Sequence, residues 1–227
     1  MTERRNRWLP DTRRVLIIGA GGLGRGVAAW VRHAVADQRD SNPSIRFVDD
    51  NPDATARFDA APPVACSIDS YEPAEGDAVI VALGMPQPRE AAVRRLQDRG
   101  ANFVTLVHPT AILGDRVSIG AGGIICPQAV IDSDATLGRF AVVNLMSSVD
   151  HDVALGDFAS LSCHVDLTGG VAAGRGVFFG SRASVLPGVS VGDRAIVGAG
   201  AVVNRDVRAG ATVVGVPARE ISVAKAA

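Results

Sequence analysis

Residues 147–158 read SSVDHDVALGDF and place one histidine, His151, between Asp150 and Asp152. An imidazole has an ordinary pKa of about 6.5, so near neutral pH it can take a proton from an attacking amine or hydroxyl. A neighbouring carboxylate can fix the tautomer of the ring and raise its basicity. The pattern indicates a general base, His151, supported by Asp152. The alternative is an outward-facing turn histidine without a catalytic role.

A second cluster suits phosphate binding. Residues 19–24 read GAGGLG, a G-x-G-x-x-G pattern that follows an apolar strand and precedes a helical stretch. The backbone of Gly19, Gly21 and Gly22, together with the helix N-terminus, can bind a phosphate or pyrophosphate. Asp49 and Asp50, at the end of the next strand, can accept hydrogen bonds from a ribose or a base. The pattern also fits NAD binding or a tight turn without a ligand, although the first 110 or so residues are too few for a dinucleotide fold plus a substrate domain.

The elements that position these residues change character near residue 110. Before it, apolar runs alternate with helical stretches that cover residues 26–37 and 89–100. The predicted strands are residues 15–19, 45–50, 77–84 and 102–107. This alternation predicts a small parallel sheet covered by helices.

From Leu113 to Val203 every sixth residue is apolar, without interruption. A period of six fits neither an amphipathic helix nor a hairpin strand, and it is typical of a hexapeptide β-helix with three short strands to each coil. Glycine often follows the apolar residue directly. The fold class predicted is therefore α/β followed by a β-solenoid.

Composition excludes several classes of protein. The formal net charge of −1 argues against nucleic-acid binding by charge, and no apolar run is long enough for a membrane helix. The N-terminal residues 1–13 lack the apolar segment of a secretory signal and are expected to form a frayed arm. Three widely spaced cysteines are expected to be thiols in a reducing compartment, which favours a cytoplasmic protein.

The chain resembles the bacterial nucleotide-sugar acetyltransferases of the sialic acid O-acetyltransferase and the bacillosamine or perosamine N-acetyltransferase type. The resemblance rests on IIGAGGLGR, FVDDN, IVALG with Arg89, VHPTA, NLMSSVDHDVALGDF, the repeats and VVGVPAR. It implies a Rossmann-like domain for a UDP-sugar, a left-handed parallel β-helix for acetyl-CoA, and a homotrimer. The expected division is residues 1–13 as an arm, 14–107 and 108–217 as the two domains, and 218–227 as a tail.

The resemblance also assigns site residues. His151 is the implied base, with Asp152 beside it. The implied substrate-binding residues are Gly19, Gly21, Gly22, Asp49, Asp50, Gly84, Arg89 and Asn144. The implied acetyl-CoA-binding residues are Ser160, Gly169, Gly180, Ser181 and Ala199, with Gly169 a candidate donor to the oxyanion. Leu23 and Ser160 stand where the family usually has histidines, and His164 stands where it usually has a small turn residue. Two of these residues have an alternative interpretation without a role in binding. Arg89 would then be a solvated helix residue, and Asn144 would be an outward-facing turn residue.

The expected function is acetyl-CoA-dependent N-acetylation of a nucleotide-linked amino sugar, by direct attack on the thioester and without a metal. Sugar O-acetylation and non-catalytic sugar-nucleotide binding are the alternatives. A zinc hydratase built on the same solenoid is disfavoured, because it needs three histidine ligands and the repeats contain only His151 and His164.

Overall fold

The computed structural model describes residues 6, 12–36 and 43–221. The chain divides into two compact units, residues 1–109 and 110–227. Each unit is described by itself below.

The N-terminal unit contains a four-stranded parallel sheet with the strand order β3-β2-β1-β4. Its strands are β1 (Arg14–Ile18), β2 (Ser44–Val48), β3 (Val64–Cys66) and β4 (Asp77–Val81). Helix α1 (Gly22–Val35) follows β1, and helix α2 (Pro86–Gln97) follows β4. The apolar runs of β1 and β4 are almost completely buried, as expected for parallel strands covered on both faces. The predicted βα alternation is confirmed, while β3 is a strand that the sequence analysis missed.

The ends of this unit differ from expectation. Residues 102–107 contribute only a bridge from Phe103 to Val79 and the two-residue strand β5 (Leu106–Val107). In the expected N-terminal arm, the described Asn6 is buried, and its side-chain amide exchanges two hydrogen bonds with the backbone of Val107. The rest of that arm, apart from residues 12 and 13, lies outside the described residues.

The C-terminal unit is a parallel β-solenoid with three faces. The first face contains β6 (Ile112–Leu113), β9 (Val130–Ile131), β12 (Ser148–Val149), β15 (Asp166–Leu167), β18 (Ser184–Val185) and β21 (Val202–Val203). The second face contains β7 (Ser118–Ile119), β10 (Thr136–Leu137), β13 (Ala154–Leu155), β16 (Ala172–Ala173) and β19 (Ser190–Val191). The third face contains β8 (Ile124–Ile125), β11 (Val142–Val143), β14 (Ser160–Leu161), β17 (Phe178–Phe179), β20 (Ile196–Val197) and β22 (Thr212–Val214).

Each coil takes 18 residues, as the pairing of Ser148 with Asp166 and of Val149 with Leu167 shows. The second residue of each strand points inward, and this is the apolar position of the sequence repeat. These inward residues are buried from Ile125 to Val203, whereas Leu113 and Ile119 in the first coil are partly exposed. The first coil has a neighbouring coil on one side only, which accounts for that exposure. The predicted hexapeptide solenoid is confirmed.

The turns between faces follow the same period. Three residues after the inward residues from Leu113 to Val197 the backbone adopts the left-handed conformation, for example at Phe158 (φ 59°) and Asp152 (φ 61°). The glycine directly after many inward residues has a different cause. A Cβ atom at Gly138 would lie 2.4 Å from the amide nitrogen of Asp157 in the next coil. Close stacking of the coils, rather than the dihedral angles, therefore requires that glycine.

The last described residues extend the third face. Strand β23 (Arg219–Ile221) pairs antiparallel with β22. The expected tail beginning at residue 218 is therefore ordered through Ile221, and residues 222–227 lie outside the described part of the chain.

Candidate active site

His151 lies at the first corner of the solenoid, which we define as the turns from the first face to the second face. In its coil this turn is residues 150–153. The backbone carbonyl of His151 accepts a hydrogen bond of 3.0 Å from the amide of Gly170, so the turn is held without help from the side chain. The side chain itself is 63% exposed. A group placed in this way can react with a bound molecule while contributing nothing to the core.

The imidazole of His151 has one nitrogen occupied and one nitrogen available. Its Nδ1 lies 2.8 Å from Oδ2 of Asp152. A carboxylate only accepts, so Nδ1 carries the proton, and Nε2 has the lone pair of a base. The same hydrogen bond raises the pKa of His151 above its ordinary value. The predicted orienting role of Asp152 thus has the geometry that it requires.

Gly169 lies against the His151 ring in the next coil of the same corner. A Cβ atom built on Gly169 would be 2.6 Å from both Nε2 and Cε1 of His151. Only a residue without a side chain leaves the ring in this place. The amide N–H of Gly169 donates to no acceptor in the described part of the chain. The base and an available backbone donor are therefore neighbours, a contact that the resemblance to the family did not provide.

The first corner and the adjoining first face are acidic. Burial and the charges of Asp166 and Asp132 raise the pKa of Asp150. Asp166 in turn accepts hydrogen bonds from the hydroxyls of Ser148 and Ser184 in the neighbouring coils. This concentration of carboxylates favours a positively charged group, such as a protonated amine, near the corner.

The other predicted solenoid residues lie elsewhere. The third corner, the turns from the third face to the first face, carries Asn144, His164, Gly180, Ser181 and Ala199. Asn144 uses its Oδ1 to accept the amide of Leu145 at 2.8 Å, as turn residues do. A strand of the first face separates this corner from His151 in each coil. One chain therefore does not bring the expected acetyl-CoA residues of this corner together with the expected base.

Ser160 differs from the rest of its set. It lies in β14 on the third face and is 2% exposed. Its predicted contact with acetyl-CoA stays a prediction, and this burial does not favour it.

The glycine loop of the N-terminal unit ends at the first turn of α1. A Cβ atom at Gly21 or Gly22 would meet nothing within 4 Å, so the space above these residues is open. Gly19 adopts a φ of 95°, and a Cβ atom at Gly24 would lie 1.9 Å from its carbonyl oxygen. The open pair can receive a ligand at the helix N-terminus, whereas Gly19 and Gly24 are required by the fold.

Asp49 and Asp50 both accept hydrogen bonds from neighbouring backbone amides. Asp49 accepts hydrogen bonds from the amides of Ala20 (2.7 Å) and Asn51 (2.9 Å), and so fastens the glycine loop to the end of β2. Asp50 accepts the amide of Ile68 at 2.9 Å. These contacts place both carboxylates at the carboxyl end of the sheet, where parallel sheets bind ligands. Their contact with a ribose or base stays a prediction.

Arg89 is completely buried at the start of α2. Its guanidinium donates to the carbonyls of Leu83 (2.6 Å) and Gly84 (3.1 Å), and burial lowers its pKa to about 10. The alternative interpretation of Arg89 as a solvated helix residue is therefore wrong. The contacts make Arg89 a residue that holds the loop after β4, and the predicted binding by Arg89 and Gly84 stays untested.

Sequence reasoning missed the residues around Phe58. Arg25 donates to the carbonyl of Ala20 at 3.1 Å, and its guanidinium lies 3.9 Å from the centre of the Phe58 ring. An arginine directly after the glycine motif was the available signal.

Among the described residues no group of three or more histidine, cysteine or acidic side chains is arranged to hold a metal ion. Neither described helix combines the length and the apolar character that crossing a membrane requires.

Two family models match the chain. Residues 14–96 match the PglD N-terminal domain, and residues 170–205 match the hexapeptide repeat of succinyl-transferase. No curated protein sequence matches it significantly.

Several solved structures are similar over nearly the whole chain. A mutant of perosamine N-acetyltransferase from Caulobacter crescentus, in complex with CoA and GDP-perosamine, is 30% identical with a TM-score of 0.82. The similarity covers 92% of this chain and 97% of that one. The acetyltransferase domain of PglB from Neisseria gonorrhoeae is 28% identical (TM-score 0.82; 92% and 100% covered), and WeeI from Acinetobacter baumannii is 29% identical (TM-score 0.80; 92% and 99% covered). With its glycine-loop domain, its hexapeptide solenoid and these similarities, the chain belongs to the nucleotide-sugar acetyltransferase family.

Proposed function

We propose that this protein transfers the acetyl group of acetyl-CoA to the amino group of a nucleotide-linked amino sugar. The observation that carries the proposal is the first corner, where the His151 ring lies against Gly169 and the amide N–H of Gly169 has no acceptor among the described residues. Acetyl transfer from a thioester needs a base for the attacking group and a donor for the oxyanion. The N-acetyltransferase relatives support an amine as the acceptor.

The reaction needs no covalent enzyme intermediate, because the thioester is already activated. The amine attacks the acetyl carbonyl, a C–N bond forms, and the carbonyl oxygen becomes an oxyanion beside the Gly169 amide. His151 takes the amine proton at Nε2. The C–S bond then breaks, and the imidazolium returns the proton to the departing CoA thiolate. The products are the acetamido sugar, free CoA and neutral His151.

We further propose that the working molecule is a homotrimer. The strands of the first face lie between the first corner, which carries His151, and the third corner, which carries Asn144, Ser181 and Ala199. If the third-corner residues bind acetyl-CoA, the first corner of one chain must meet the third corner of another. Light scattering tests this: a monomer mass at micromolar concentration would contradict it.

The resemblance implied UDP as the nucleotide. A glycine loop that binds phosphate does not discriminate among the bases, so the nucleotide has to be tested. The test of the proposed function therefore presents UDP-, GDP- and dTDP-linked amino sugars with acetyl-CoA and measures free thiol. We expect turnover with at least one of them, and a product 42 mass units heavier, the mass of an acetyl group that replaces a hydrogen. An acetyl group that survives hydroxylamine is an amide. Release by hydroxylamine would instead show sugar O-acetylation, and binding without turnover would show a non-catalytic protein.

A further inference from the structure

A pocket of about 380 Å³ lies beside the glycine loop, in the N-terminal unit. Its walls come from α1 and from the segment between β2 and β3, and none of the residues predicted to bind substrate lines it. Its lining includes Arg25, Arg32, Phe58 and Asp59. Arg25 also contacts the carbonyl of Ala20, so this wall begins next to the expected phosphate site.

The pocket contains a platform suited to a flat ring. The guanidinium of Arg25 covers one face of the Phe58 ring, 3.9 Å from the ring centre, so the surface open to a flat ring on this side is the outer face of that guanidinium. Nucleobases stack on aromatic rings and on guanidinium planes. A base that leaves its phosphates at the start of α1 would reach this platform within about one helical turn, roughly 5 Å along the axis.

The polar edge of the pocket has one acceptor and one donor available. Asp59 and Arg32 are exposed, and neither side chain makes a hydrogen bond or ion pair with another residue in the described part of the chain. A carboxylate accepts two parallel hydrogen bonds, and a guanidinium donates two. The ligand edge that suits Asp59 must therefore carry two adjacent donors.

Guanine is the common base that has such an edge. Its N1–H and N2 amino group are neighbouring donors for a carboxylate, and its O6 and N7 are acceptors for an arginine. Uracil and thymine have one ring N–H between two carbonyl oxygens, and a carboxylate would repel one of these. Adenine and cytosine place an acceptor next to their amino group. The carboxylate of Asp59 therefore discriminates against the other four bases.

We propose that the pocket binds guanine, with Asp59 and Arg32 reading its edges on the Arg25–Phe58 platform, so that the substrate is a GDP-linked amino sugar. This inference rests on the proposed function in taking the ligand to be a nucleotide sugar. It replaces the uridine that the resemblance implied with a base chosen by the chemistry of the pocket.

The test measures binding of GDP, UDP, dTDP and ADP to the full-length chain by calorimetry, without acetyl-CoA. A bidentate base contact discriminates by roughly 10- to 100-fold, so we expect GDP to bind tighter than each of the others by that factor. Asp59→Asn replaces one acceptor oxygen with a donor and should abolish the preference, with UDP binding little changed. Asp53→Asn makes the same charge change in the same segment but outside the pocket, and should keep the preference. Arg32→Ala should weaken the binding of GDP more than the binding of UDP.

Equal or tighter binding of UDP or dTDP would overturn the inference, as would an unchanged GDP preference in Asp59→Asn. Thermal melting of each variant shows whether it is folded, which is expected because Asp59, Asp53 and Arg32 are all exposed. The two proposals fail separately. A guanine preference without acetyl transfer would refute the function alone, and acetyl transfer to a UDP-amino sugar without a guanine preference would refute the inference alone.

Discussion

The first corner of the solenoid and the glycine loop of the N-terminal unit both present groups for chemistry, but the fold depends on them differently. At the corner, the turn is fixed by backbone hydrogen bonds, and the His151 side chain projects into solvent. In the loop, Gly24 approaches Gly19, and Asp49 holds the amide of Ala20, so residues that pack the domain lie within a few positions of the open Gly21 and Gly22. A repeat therefore separates stability from chemistry, whereas the βα turn places residues for both in one short segment. Substitutions in the two regions should show this contrast.

The largest effect should come from His151→Ala. We expect kcat to fall roughly 10²- to 10⁴-fold, the usual contribution of a general base, while the melting temperature stays the same because no core contact is lost. Acetyl-CoA affinity should change little, since the imidazole acts on the proton of the acceptor. The measurement is turnover at saturating acetyl-CoA between pH 6 and 9, together with a thermal melt.

The matched control is His164→Ala. His164 lies at the third corner, and its backbone amide donates to the carbonyl of Leu145 in the preceding coil, a bond that alanine keeps. Removal of the His164 side chain should lower kcat much less than removal of the His151 side chain. Wild-type turnover in His151→Ala, with no turnover in His164→Ala, would place the base at the other corner.

Gly169→Ala should have the next largest effect. The new methyl group would occupy the space 2.6 Å from Nε2 of His151 and displace the ring. A displacement of about 1 Å can cost roughly 100-fold in rate, and we expect a loss of that order. Gly169 has no left-handed φ angle, so alanine adds no backbone strain there.

The double variant Gly169→Ala/His151→Ala provides the control. Once the ring is absent, the three atoms nearest to the methyl group are gone, so the second substitution should add little to the loss from His151→Ala. Additive losses in rate would show that Gly169 acts independently of the histidine.

In the glycine loop, two glycines three positions apart should respond in opposite ways. Gly24→Ala places a Cβ atom 1.9 Å from the carbonyl of Gly19 and should reduce the free energy of unfolding by about 3 kcal/mol, or prevent folding. Gly21→Ala meets no protein atom and should leave the urea midpoint nearly unchanged. It should instead raise the acceptor KM by roughly tenfold, because the methyl group blocks close approach of a phosphate. Equal stability of the two variants would contradict the assignment of Gly24 to packing and of Gly21 to the open side of the loop.

The sequence was most informative where structure repeats. The apolar residue at every sixth position placed Val149 inside and His151 outside, because all coils share one geometry. It was also sufficient for β1, β4 and the glycine turn, whose apolar runs are long and buried. Strand β3 was missed because Val64–Cys66 is three residues long and partly exposed at the sheet edge.

Contacts that depend on packing could not be predicted. Nothing in the sequence shows that Arg89 is buried against the carbonyls of Leu83 and Gly84, because most arginines at helix starts are solvated. The contact of Gly169 with the His151 ring joins two residues 18 positions apart and follows only once the coil length is known. The pocket around Phe58 is formed by an irregular segment, for which no periodic pattern exists.

The smallest effect should come from Asp152→Asn. Asp152 lies at φ 61°, a conformation that asparagine tolerates equally well, so the turn and its stability should be retained. The base works when it is neutral, so turnover falls as the pH drops through the pKa of His151. In the wild type the hydrogen bond that Nδ1 of His151 donates to Asp152 raises that pKa, which places the acidic limb of the rate profile at higher pH.

Without the carboxylate the pKa should fall, and the acidic limb of kcat against pH should move to lower pH. The plateau should drop by roughly tenfold or less, because the ring loses its orientation and part of its basicity but the base remains. The measurement is kcat between pH 5 and 9 with both substrates saturating, which separates His151 from the protonation of the free amino sugar. Asp150→Asn is the comparison: Asp150 makes no hydrogen bond to the ring, so its loss should move the limb less. A larger shift in Asp150→Asn than in Asp152→Asn would mean that the field of the acidic corner, rather than the single hydrogen bond, sets the basicity of His151.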